Sequence, residues 1–283
     1  MIGPMSSETG LVYLEGHISV GSAIAGGYRD VTKVYVRKER IDQEMVKLRE
    51  LAHRLCIEVV TADGAEIAEI TGNPKCTDAA AEVGERRHLD PGDLLDQDSK
   101  GWYVALDGVE DPYNFGGALR ALYAAGAAGV FVGPRNWFAA STVVARSSAG
   151  ASELIASAVV EDMCDLIEIA AGRNLEIVTA AEGPQSISMF EADLTRPMIL
   201  VVGGERRGIS KRLLTSSTKM VRIPYDRVDF PSLGTISAST ALGFEIFRQR
   251  SASGTSAYAS KSGSPPSSRL PRTRSPRKPL RGF

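Results

Sequence analysis

Three short runs hold the residues whose types and spacing could do chemistry. The first is DPYNFGGALR (111–120). Arg120 has Ala118, Leu119, Ala121 and Leu122 around it, an apolar setting in which a guanidinium is a candidate contact for phosphate or carboxylate, since its planar fork of donors fits either. Asn114 lies just before a helix start, where its side chain caps the helix or reaches a ligand. The second run, VVGGERRGIS (201–210), delivers Gly203 and Gly204, then Glu205, Arg206, Arg207 and another glycine before a helix. A strand-to-helix turn of this kind can cradle phosphates on backbone amides. It lacks, however, both the Lys-Ser/Thr of a P-loop and the G-x-G-x-x-G spacing of a dinucleotide loop. The third, DFPSLGTISAST (229–240), follows Ile223-Pro224 and enters an apolar helix. Gly234 offers only backbone there, and Ser232, Thr235 and Ser237 offer hydroxyls. The structural alternative is a tight turn with a Ser/Thr helix cap.

These runs need a scaffold. WYVALDGV (102–109), GVFVG (129–133), LEIVTAA (175–181), PMILVVGG (197–204) and MVRIP (220–224) read as apolar strands separated by helices. Alternating β and α elements with continuously apolar strands predict a parallel sheet covered on both faces. All three runs then fall at strand ends, where such sheets bind ligands. The last helix is expected from about Thr235 to Arg250. A smaller α/β unit precedes this one: helix 16–26, strand 31–36, helix 45–55, strand 57–62, helix 64–72 and a strand within PKCTDAAAEVGERR. Between the two, LDPGDLLDQDSKG (89–101) carries Asp90, Asp93, Asp96 and Asp98 and reads as a solvated linker, its spacing matching no calcium loop.

Composition narrows the class. At 43% hydrophobic and 24% charged residues the chain is ordinary globular material. Cys56, Cys76 and Cys164 are odd in number and far apart, which predicts buried thiols rather than disulfides or a metal site. His17, His53 and His88 are isolated and read as surface or satisfied residues. No apolar run reaches the roughly 18 residues of a membrane span, and the N-terminus lacks a signal-peptide order; a soluble, cytoplasmic protein is expected. From Ser251 onward the chain is Ser/Pro/Arg-rich, with seven Lys or Arg and no acid. Removing those seven leaves 26 basic residues against 34 acidic ones, a net charge of about −8 for residues 1–250. The tail is expected to be disordered; it is suited to holding RNA phosphates without reading sequence, and the alternative is a solubilising extension of no specific use.

The order of the three runs is more specific than any one of them. Asn-Phe-Gly-Gly-x-x-Arg, then Gly-Gly-Glu-x-x-Gly, then Ile-Pro…Ser-Leu-Gly before a terminal helix resembles the TrmH/SpoU family of RNA ribose 2′-O-methyltransferases, within the SPOUT superfamily. ARSSAGASELI (145–155) is similar to that family as well. The resemblance covers roughly residues 100–250. Weaker similarity over residues 11–88 resembles the L30e-like RNA-binding domain that often precedes it.

The resemblance implies an α/β chain with these parts: a flexible start (1–10), an L30e-like substrate-binding domain (11–88), a linker (89–101), a SPOUT domain with a parallel sheet and a C-terminal trefoil knot (102–250), and the basic tail (251–283). It implies S-adenosylmethionine as cofactor, contacted by backbone at Gly203, Ile223 and Leu233, with Gly204 and Gly234 alongside. It implies Arg120 as the residue acting on the ribose hydroxyl, with Asn114 and Glu205 positioning it or the substrate. Ribosomal or transfer RNA is the implied substrate and a homodimer the implied assembly; no metal is implied. Family members usually have Asn where this chain has Gly234, and one extra residue separates Ile223 from Leu233. Ser232, Thr235 or Ser237 is then the candidate replacement for the missing amide. Two other readings compete: an RNA-binding protein with a degenerate methyltransferase fold, and a nucleotide- or NAD-binding protein, for which no phosphate-loop fingerprint exists.

Overall fold

The structure, a computed structural model, describes residues 12–134, 141–227 and 232–255. The first sheet is built from β1 (Val12–Glu15), β2 (Val31–Arg37), β3 (Glu58–Ala62) and β4 (Ala79–Val83), in the order β1-β4-β2-β3. Strand β4 runs antiparallel to both neighbours, and β3 runs parallel to β2. Helices α1 (His17–Gly26), α2 (Gln43–Arg54) and α3 (Gly64–Thr71) join them. Two of these helices have a clear local cause. Asp42 caps α2 through Met45 N, and Met45, Leu48 and Ala52 form its buried stripe. Asp63 and Glu66 make a capping box on α3, which ends at Gly72 with φ +66°.

The acidic stretch 89–101 is not a solvated linker. Asp90 caps a short helix, α4 (Pro91–Asp96), and Leu94 and Leu95 are buried against Tyr103 and Phe131. The aspartates that dominate its composition are exposed, and two leucines decide where the segment sits.

The second sheet is wholly parallel, in the order β7-β6-β5-β10-β8-β11-β9. Its strands are β5 (Trp102–Asp107), β6 (Gly129–Val132), β7 (Ala156–Val159), β8 (Glu176–Ala180), β9 (Ile187–Ser188), β10 (Met198–Gly203) and β11 (Lys219–Arg222). The helices are α5 (Pro112–Ala124), α6 (Ser141–Ser147), α7 (Ala151–Leu154), α8 (Leu166–Ala171), α9 (Lys211–Ser216) and α10 (Thr235–Ala252). Along β5 the pleat sends Trp102, Val104 and Leu106 into the core beneath α5 and α10, and Tyr103 and Ala105 into the core on the other face. Burial on both faces is why β5 and β10 are apolar up to their last residues. Gly117 lets α10 lie close on α5, because a Cβ there would stand 2.6 Å from Ile236 Cδ1.

The two sheets are joined through the α6–α7 region. Arg29 Nε donates to Glu153 Oε2 at 2.7 Å with both side chains nearly inaccessible, and Arg86 Nη1 stands 3.7 Å from the same oxygen. Arg86 also lies over the Tyr28 ring, and Thr142 donates to Tyr13 O. At Gly26 a Cβ would stand 1.9 Å from Glu153 O, so backbone meets backbone at this seam.

Two further expectations change. His17 is not isolated: its ring lies between Glu44 Oε2 (2.9 Å) and Asp78 Oδ2 (3.1 Å). His88 contacts Ser157 Oγ at 2.9 Å. The expected tail begins too early, since α10 runs to Ala252 and Thr255 N donates to Arg250 O. Residues 256–283, which hold all seven of its cations, lie outside the described residues, as do residues 1–11 and 229–231. Cys76 and Cys164 are buried free thiols, whereas Cys56 is exposed. Among the described residues no helix is long and apolar enough to cross a membrane.

Candidate active site

The site forms where β5 and β10 end side by side, Gly203 in register with Asp107. Gly204 N donates to Asp107 O (2.7 Å) and Ser210 N to Asp107 Oδ2 (3.0 Å), so both feet of the 203–210 loop are tied to β5. Gly208 N donates to Gly204 O (2.9 Å) and closes the loop, with Gly208 at φ +61°. A Cβ at Gly203 would meet Gly208 C at 2.6 Å, and one at Gly204 would meet Gly108 O at 2.1 Å. These two glycines are therefore required by the loop's own packing, whatever it binds.

On the β5 side, Asp111 is the N-cap of α5 and accepts from Asn114 N at 2.8 Å, with Pro112 in the first turn. Asn114 thus lies inside the helix and does not cap it. Its side chain is left to donate from Nδ2 to Glu205 Oε1 at 2.9 Å. Arg206 adds a second link between the loops, 3.5 Å from Glu110 Oε2. A cavity of about 410 Å³ lies between them, lined by Asn114, Glu205 and Thr235 with Glu110, Asp111 and Arg206.

The third run closes the cavity from α10. Thr235 is buried, and its Oγ1 lies 3.5 Å from Gly203 O. Gly234 caps α10 with ordinary extended dihedrals (φ −62°, ψ 160°) and no side-chain cap. A Cβ there would stand 3.2 Å from Glu205 Oε1, so the carboxylate occupies the space into which a side chain at 234 would grow. Leu233 N donates to the Tyr225 hydroxyl at 3.2 Å. Ile223 follows β11 and packs on the core edge.

The structure brings together Asn114, Glu205, Gly203, Gly204, Gly234 and Thr235. Arg120 does not join them: it is exposed on α5, whose buried face is Phe115, Ala118, Leu119 and Leu122, and has no hydrogen-bond or ion-pair partner among the described residues. Its apolar sequence neighbours point elsewhere, because each residue of a helix turns about 100° from the last. Ser232 and Ser237 are also exposed and do not line the cavity. Sequence reasoning missed Asp107 and Tyr225. The signal for Asp107 was its place, the sole acid at the end of the apolar strand WYVALD.

Residues 101–242 match the SpoU rRNA Methylase family, and residues 13–88 match the RNA 2′-O ribose methyltransferase substrate binding family. An uncharacterized tRNA/rRNA methyltransferase of Synechocystis sp. is 28% identical over 263 residues, covering 87% of this chain and 66% of the relative. The 23S rRNA (guanosine-2′-O-)-methyltransferase RlmB of Pseudomonas syringae pv. tomato is 35% identical over 153 residues, covering 53% and 59%. The chain therefore spans two thirds or less of the length of these two relatives. In fold it resembles the SpoU methyltransferase AviRb of Streptomyces viridochromogenes, solved with AdoMet, at a TM-score of 0.69 and 23% identity over 85% of this chain and 91% of that one. By its family match over half its length, with the three loops assembled at the ends of a parallel sheet, the chain belongs to the SpoU rRNA methylase family.

Proposed function

We propose that this chain transfers a methyl group from S-adenosylmethionine to a ribose 2′-hydroxyl of structured RNA, ribosomal or transfer. The observation that carries the reading is the Asn114–Glu205 hydrogen bond, which couples two family motifs over one cavity at the strand ends. The name of the Pseudomonas relative points to the same reaction, and that of the Synechocystis relative to methyl transfer on tRNA or rRNA.

Backbone groups at Gly203, Gly204, Ile223, Leu233 and Gly234 hold the cofactor. The residues fit it in chemistry: at 203–204 and at 234 the chain offers only backbone amides and carbonyls, with no side chain of its own in front of them. When bound, S-adenosylmethionine supplies a methyl group already activated by its sulfonium. What this chain must add is alignment of the ribose hydroxyl and stabilisation of the charge it develops. Arg120, always protonated, binds the neighbouring phosphate and the developing alkoxide and does not act as a base. Asn114 holds the Glu205 carboxylate in place, and Thr235 is the one of the three candidate hydroxyl residues that lines the cavity.

Arg120 stands apart from Asn114 and Glu205 of its own chain, which supports a homodimer whose partner completes each site. Tyr113, Tyr123, Ile236 and Phe244 are exposed on α5 and α10 and offer the apolar surface for it. Residues 11–88 bind the RNA as an L30e-like domain, and residues 102–250 form the catalytic domain, its C-terminal part threaded as the family's knot. The place of β10 between β5 and β8 supports that threading. The protein works in the cytoplasm.

Arg120's separation also favours a second reading, a non-catalytic RNA-binding protein. Labelled methyl transfer to unmodified ribosomal and transfer RNA, with Arg120→Ala alongside, decides between them. Label recovered as a 2′-O-methylnucleoside and lost in the variant supports the enzyme. Cofactor binding without label on any RNA supports the second reading.

A further inference from the structure

Like 33–40, with Lys33, Arg37, Lys38 and Arg40 against Glu39, the 203–212 segment is a basic stretch of an acidic body. It carries Arg206, Arg207, Lys211 and Arg212 against one acid, Glu205, in a chain whose first 250 residues hold eight more acids than bases. All four cations are exposed. Two of them are answered: Arg206 by Glu110 at 3.5 Å, and Arg212 by Asp162, whose carboxyl it helps to hold below its usual range after hydrogen bonds from Cys164. Arg207 and Lys211 have no ion pair or side-chain hydrogen bond among the described residues.

Their setting is rigid. The loop is closed by Gly208 N to Gly204 O and bound at both feet to Asp107, and Ser210 Oγ accepts from Leu213 N to start α9. Ile209 is buried between the two cations and anchors the turn. Arg207 is two residues from Glu205 on the same closed loop, and neither it nor Lys211 lines the cavity. The cavity wall itself is acidic, with Glu110, Asp111 and Glu205 against Arg206 alone. A polyanion approaching it is repelled unless fixed cations beside the entrance offset that field.

We infer that Arg207 and Lys211 form a phosphate-binding surface at the mouth of the site, which takes the RNA backbone next to the target ribose. This rests on the proposed RNA substrate. Each contact releases counterions and contributes to the salt dependence of binding without reading sequence.

The test measures binding of the full chain to unmodified 23S ribosomal RNA made in vitro, against salt, for the wild type, Arg207→Ala, Lys211→Ala and Arg207→Lys. Arg196→Ala is the control: Arg196 precedes β10 at the opposite ends of the strands and is held by Glu176 and Asp193. Each alanine variant is expected to lower the slope of log K against log salt by about 0.7–0.9. In methyl transfer the loss falls on KM for RNA more than on kcat. Arg207→Lys retains the slope and Arg196→Ala leaves it unchanged. Unchanged slopes in both alanine variants, or an equal fall in the control, overturn the inference. A wild type that binds RNA and transfers no methyl, with the slopes falling as stated, overturns the enzyme reading and leaves this surface standing.

Discussion

Asn114 and Glu205, 91 positions apart in sequence, are joined by one hydrogen bond of 2.9 Å from the amide Nδ2 to the carboxylate Oε1. It spans the cavity between the ends of β5 and β10. If the pair acts as a unit, single replacements and the double replacement cost about the same. Asn114→Ala and Glu205→Ala are each expected to lower kcat roughly tenfold or more, with a coupling of about 1–3 kcal/mol in the double-mutant cycle. The check is methyl-transfer kinetics with cofactor affinity measured separately; additive losses would show two independent roles.

The glycines of the site separate by what they touch. Gly204→Ala forces a Cβ against the backbone oxygen of Gly108, 2.1 Å away, where nothing flexible can yield. A cost of about 1–3 kcal/mol is expected in urea unfolding. Gly234→Ala meets only the tip of Glu205 at 3.2 Å and has an ordinary φ of −62°. Its stability change is expected within about 0.5 kcal/mol, and any effect on kcat then reports on Glu205 rather than on folding.

Glu153 is the carboxylate between two buried arginines, Arg29 and Arg86. Glu153→Gln removes its charge and leaves both guanidinium groups uncompensated, at an expected cost of about 3–5 kcal/mol. Urea denaturation of the variant checks this. A loss below 1 kcal/mol would mean that water reaches the seam.

His88 gives the same seam a pH dependence. Burial, then the charges of Arg86 and Arg29, push its imidazole down to about 4 from 6.5. Between those values the unfolded chain binds the proton and the folded chain does not. Stability is thus complete above about pH 6.5, falls as pH drops toward 4, and levels off below. Unfolding midpoints across that window should show the fall, and His88→Gln should flatten it.

The basic extension carries seven cations beyond the last described residue, Thr255. Truncation after Thr255 preserves the Thr255–Arg250 contact that ends α10. It is expected to weaken RNA affinity and reduce the salt slope by more than any single-residue change. An unchanged slope would remove the extension from RNA binding.

How much of this was legible beforehand follows from range. Asp42, Asp63 and Gly72 act within one turn of their own helices, so the ends of α2 and α3 could be read locally. The apolar runs at 102–106 and 198–202 require cover on two faces, which is enough to specify a parallel sheet and to place the three motifs at its strand ends. The family could be read for the same reason, because its signature is an order of short motifs. Leu94 and Leu95 show the limit: two leucines in an acidic stretch carry no period, and only the core that receives them makes 89–101 part of the fold. Arg120 shows it again, since its linear neighbours are apolar while its own direction on α5 is outward. That Asn114 would meet Glu205, and that Gly203 and Gly204 would be pressed by Gly208 and Gly108, depends on β5 and β10 being neighbours. The sequence by itself determined most of the longer elements, the sheet type and the motifs, because those depend on local sterics and on apolar periodicity; the short β1, β7, β9 and α4 were not read from it. Only the tertiary structure decided which strand ends adjoin and which side chains meet, because contacts between distant residues exist only once the sheet has set their register.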